Sequence, residues 1–63
     1  MKIRVKVGTM PQEIWVTSKR IPPKVGEWIK IRENKRNYPW HIVVVDQIKF
    51  ENSPDILYCV HYV

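Results

Sequence analysis

Cys59 and His61 stand two residues apart, so in an extended chain both side chains leave the same face. His41, on a separate segment, could add a third donor of the nitrogen and sulfur kind that zinc takes. No second cysteine stands close by, and a small buried thiol with two ordinary histidines accounts for the same residues. Covalent catalysis fares no better. Cys59 and His61 lie about 7 Å apart along a strand, beyond the reach of a nucleophile–base hydrogen bond. Ser18 and Ser53 sit in loop sequence without a recognisable elbow, and there is neither a glycine-rich phosphate loop nor an inward pair of carboxylates. Asp46 interrupts an apolar run, where a side-chain hydrogen bond stabilising a bulge explains it. The residues therefore predict no catalytic centre, no metal site and no cofactor.

A different chemistry is written in the cations and indoles. Lys2, Arg4 and Lys6 alternate with Ile3, Val5 and Val7, so period two sends three cations to one side of a strand. Trp15 follows in the next strand, and Trp28, Lys30 and Arg32 alternate in a third. Neighbouring strands would gather these residues on one outer face, extended by Lys35 and Arg36 at a hairpin tip. Single-stranded nucleic acid uses such a face, pairing phosphates with cations and stacking bases on rings at about 1–3 kcal/mol each. The competing reading has the tryptophans fill a second small core or a subunit interface, where aromatic residues are enriched, with Trp15, Trp28 and Trp40 binding a partner protein.

The elements that must position these residues are all strands. Residues 2–7 form the first, and Gly8-Thr9-Met10-Pro11 turns the chain. Gln12 to Thr17 resumes the alternation, with Ile14 and Val16 expected inward and Trp15 outward. Residues 18–26 are a long connection in which Pro22 and Pro23 exclude a helix or a central strand. Ile21 and Val25 are expected to tuck beneath it. Strand three, Glu27 to Arg32, points Ile29 and Ile31 inward, and the tip at 33–37 carries two asparagines that tolerate left-handed backbone. Strand four, about Tyr38 to Phe50, would span about 40 Å if straight, too long for so small a domain. A bulge or corner is expected at Asp46-Gln47. Ile56 to Val63, apolar on both rows, closes the chain and must be central in the sheet or covered by a second copy.

The turn Pro23-Lys24-Val25-Gly26-Glu27 and the Trp28-Ile29-Lys30-Ile31 strand that follows are similar to those of SH3-like small barrels. The whole chain resembles the short SH3-like proteins of bacteria and their phages, in which a charged first strand precedes a P-x-V-G-[DE] turn and a Y-x-V-x-x-V strand. Here that strand reads Tyr38-Pro39-Trp40-His41-Ile42-Val43-Val44, departing from the pattern by a proline and a tryptophan. The resemblance implies an all-β, SH3-like barrel of about five antiparallel strands with a long proline-containing loop between strands two and three. It implies a fold alone, since one fold hosts many functions.

Composition sets the remaining bounds. Sixty-three residues make one domain, residues 1–63, with a core too small to stabilise it generously. One cysteine excludes an internal disulfide and suits a reducing compartment. Eleven Lys and Arg against six Asp and Glu leave a net charge of +5, which favours polyanionic partners. No apolar run is long enough to span a membrane or to serve as a signal peptide. The expectation is a cytoplasmic, non-enzymatic interaction protein, of phage or mobile-element type by resemblance. It would form a homo-oligomer and bind a protein partner through Trp15, Trp28 and Trp40. The alternative partner is single-stranded or duplex nucleic acid on the basic face.

Overall fold

The computed structural model describes the backbone of residues 1–34, 37–52 and 55–63, with side chains described for 1–34, 37–50 and 56–63. Its five strands are β1 (Lys2–Val7), β2 (Glu13–Thr17), β3 (Trp28–Glu33), β4 (His41–Asn52) and β5 (Asp55–Tyr62). Each strand pairs antiparallel with the next in sequence, and the sheet closes where β5 meets β1. The closing pair is parallel, a departure from the all-antiparallel expectation. Parity requires it. Five strands that alternate in direction bring the fifth back to the direction of the first. β5 is thereby paired on both sides, as its two apolar rows demand.

Inside the closed sheet lie Ile3, Val5 and Val7 of β1, Ile29 and Ile31 of β3, Val43 and Val45 of β4, and Tyr58 and Val60 of β5. The alternation read from β1 and β3 is therefore the alternation that folds. β4 solves its length problem as its sequence suggests. Twelve residues would run about 40 Å straight, whereas the molecule's longest axis is 31 Å. The register against β5 shifts between Val45 and Gln47, leaving Asp46 as the extra residue of a bulge. Before the bulge β4 pairs with β3, and after it only with β5.

β2 corrects the expectation. Trp15 is 4% exposed and belongs to the core, Thr17 is buried beside it, and Ile14 and Val16 face outward. On burial alone the two phases are nearly equal: a buried tryptophan contributes about 4–6 kcal/mol, and Ile plus Val about 3–6. Polar satisfaction separates them. The Thr17 hydroxyl accepts the Lys19 N–H at 3.3 Å, so its burial is compensated, while the Thr17 backbone exchanges two 2.9 Å bonds with Met1 that either phase would allow. The Trp15 ring meets His41 edge-on at 6.4 Å.

Residues 18–27 join β2 to β3, and here too the expectation fails in part. Ile21 and Val25 stay exposed, while Pro23 is the residue buried. The loop ends in a tight turn in which the Glu27 N–H donates to the Lys24 carbonyl at 3.0 Å. Gly26 takes φ +85° at its third position while Val25 has no positive φ, the requirement of a type II turn. The Glu27 carboxylate clips the turn, accepting the Lys24 N–H at 2.9 Å and pairing with Lys19. Gly26 N–H to Val45 carbonyl and Val45 N–H to Glu27 carbonyl then fasten the turn to β4. Asn37 takes φ +67°, the left-handed backbone foreseen for the β3–β4 tip.

Candidate functional site

In a closed sheet the outward rows are the surface, and pairing register determines which outward residues are neighbours. Trp28 lies opposite Val44, and Lys30 opposite Ile42. The Arg32 guanidinium stands 4.9 Å from the Trp40 ring centroid. The outer side of the β3–β4 pair is thus a ladder of Trp28, Lys30 and Arg32 against Val44, Ile42 and Trp40. Trp28 is 64% exposed, Ile42 47% and Trp40 43%, and Val63 stands exposed beside Ile42, bonding its carbonyl. Period two along β4 produces this row, since Trp40, Ile42 and Val44 alternate with the inward His41, Val43 and Val45.

The expected single face does not exist as a unit. Trp15 is lost to the core for the reasons given above. Lys2, Arg4 and Lys6 do face outward on β1, but β1 lies two strands round the closed sheet from β3. One cross-strand row still links the two strands, Lys2–Val16–Arg32, which places their backbones roughly 10 Å apart. Trp28, Lys30, Arg32 and Trp40 are brought together, and Lys35 and Arg36 lie outside the described residues. The reading of the chain missed Ile42 and Val44 as surface residues. Their signal was the unbroken run Ile42-Val43-Val44-Val45, which cannot all be inside a closed sheet.

Electrostatics sharpen the picture. Trp40 has Arg32 stacked on it, worth about 0.5–1 kcal/mol at an exposed site. The Arg32 Nε is buried without a hydrogen-bond partner among the described residues. An occupied ring is a poor platform for a base, whereas Arg and Trp together are residues that anchor protein interfaces.

The three candidate metal donors do not share a face. His41, opposite inward Ile31, sits at the barrel end between Trp15 and Tyr62, whose ring is 5.5 Å away. Cys59 and His61 are in the outer row of β5. Among the described residues no three His, Cys, Asp or Glu side chains gather as a metal site. The His61 Nδ1 instead bonds Asp46 at 2.7 Å, which gives the bulge residue its partner across β4–β5.

An open cleft of about 290 Å³ lies between Ile3, Arg4, Pro22 and Ile56, with Tyr58 at its wall. Burial pushes the Tyr58 phenol above its ordinary pKa of 10.0. Among the described residues no helix is long and apolar enough to cross a membrane.

Fold and surface together define an all-β protein built on one five-stranded sheet, with an exposed indole and aliphatic face. The chain matches no family model, no curated protein and no solved structure.

Proposed function

We propose that the chain is a non-enzymatic interaction module of SH3-like architecture that self-associates, and binds a protein partner, through the outer face of β3–β4. The supporting observation is the outward apolar row Trp40, Ile42 and Val44, exposed at Trp40 and Ile42 and half-buried at Val44, with exposed Trp28 beside Val44. Apolar surface of this extent on a small protein, fringed by Lys30 and Arg32, has the composition of an interface core with a cationic rim. The bound tryptophans would act as anchors and Arg32 would hold Trp40 in place for docking.

The test is a dilution series followed by amide NMR. Self-association through this face moves the resonances of residues 28–32 and 40–44 with concentration and leaves β1 still. Shifts confined to other strands, or none up to millimolar protein, contradict the proposal.

A further inference from the structure

Tyr58 is 4% exposed, yet its hydroxyl bonds none of the described residues. A buried tyrosine ordinarily finds a partner for its O–H. Among the described residues the Arg32 Nε is the one fully sealed side-chain atom that lacks a partner. The Tyr58 hydroxyl is therefore not sealed, and it meets solvent in the cleft of about 290 Å³ that its residue lines.

Register makes the walls of that cleft apolar. Tyr58 lies between Val5 of β1 and Ile48 of β4 in an inner row. One residue back from the Arg4–Leu57 pair, the same register sets Ile3 beside Ile56, and both line the cleft. Pro22 of the β2–β3 loop adds a third apolar wall. The rim carries charge, but two of its cationic groups have partners: the Met1 ammonium donates to the Thr17 carbonyl at 2.9 Å, and Arg4 donates to Gln12.

Burial pushes the Tyr58 phenol above its ordinary pKa of 10.0, so at neutral pH the group keeps its proton and can donate. A lone donor among apolar walls selects a ligand with an acceptor on an apolar body. The volume falls at the small end of ligand pockets, about 300–1,000 Å³, which limits that body to about one ring.

We infer that the cleft between β1, β5 and the β2–β3 loop binds a small uncharged molecule with a ring-sized apolar body, whose carbonyl oxygen accepts the Tyr58 O–H. None of the cleft residues belongs to the β3–β4 face, so the two sites are independent.

The experiment is an amide NMR titration of the whole chain with acetophenone and with α-methylstyrene, in which a methylene group replaces the carbonyl oxygen. Acetophenone should shift the amides of residues 2–4 and 56–58 with a dissociation constant of roughly 1 mM, within reach of a single-ring ligand. Tyr58→Phe keeps the ring and removes the donor. It should lower the ratio of acetophenone to α-methylstyrene affinity by about two- to tenfold. A second readout uses the wild type alone: acetophenone should move the ionisation of a labelled Tyr58 ring to higher pH than α-methylstyrene does. Ile42→Lys should bind acetophenone as the wild type does, which separates this cleft from the β3–β4 interface. No shift at the solubility limit of acetophenone, shifts confined to other strands, an unchanged ratio in Tyr58→Phe, or equal effects of the two ligands on Tyr58 ionisation overturns the inference. So does tighter binding of benzoate than of acetophenone, which would assign the cleft to anions.

Discussion

Trp15 and His41 meet edge to face, their ring centroids 6.4 Å apart and their planes at 81°. That contact ties the middle of β2 to the start of β4, two strands that share no ladder hydrogen bonds. Trp15 is thus a core residue that braces one end of the closed sheet. Trp15→Ala should cost about 3–5 kcal/mol, enough to unfold most of a domain this small. Urea denaturation followed by circular dichroism measures it. A loss under 1 kcal/mol would mean that the ring is not packed as described.

The turn before β3 makes a prediction about backbone alone. A Cβ at Gly26 would meet nothing within 4 Å, so any cost of Gly26→Ala comes from its φ of +85°. An L-residue held in left-handed backbone loses about 1–2 kcal/mol. D-alanine, introduced by chemical synthesis, takes that φ without strain and should restore the wild-type midpoint. Equal destabilisation by both enantiomers would refute the type II assignment.

The Asp46–His61 pair is well exposed on both sides, so solvent screens it. Asp46→Ala should change stability by less than about 1 kcal/mol in thermal or urea unfolding. A larger loss would assign Asp46 a structural role in the bulge beyond its hydrogen bond to His61.

Burial of Tyr58 gives a dependence on alkaline pH. The folded phenol ionises at higher pH than the unfolded one, so the folded state holds its proton longer. Stability from this group is complete below pH 10 and declines as pH rises through the folded value. Tyr58→Phe should remove that part of the alkaline decline, seen as a flatter curve of unfolding free energy against pH above 10.

The sequence made β1, β3 and the β4 corner legible for a common reason. In Lys2–Val7 and Trp28–Arg32 the inward and outward rows differ sharply in polarity, so alternation has one phase. In β4, the polar Asp46-Gln47 pair interrupts a run that is too long to stay straight. β2 was illegible because Ile14 and Val16 compete with Trp15 and Thr17 on nearly equal terms. A one-residue choice of phase moves every side chain to the other face, and here it carried Trp15 out of the proposed surface and into the core. The barrel was expected, but its effect on which strands share a face was the other hidden factor. Local alternation shows which way a side chain points from its strand, but not that β1 and β3 face different directions once β5 returns to β1. Hence Lys2, Arg4 and Lys6 of β1 stand apart from the cluster of Trp28, Lys30, Arg32 and Trp40.

The interface proposal rests on the row that includes Ile42, and sedimentation equilibrium of the wild type beside Ile42→Lys tests it most directly. Ile42 is outward and half exposed, so the substitution should leave the fold intact by circular dichroism. The account predicts a wild type that sediments above its 7.6 kDa monomer mass with rising concentration, and a variant that stays monomeric. A wild type that remains at monomer mass, or a variant that associates as tightly as the wild type, would contradict it.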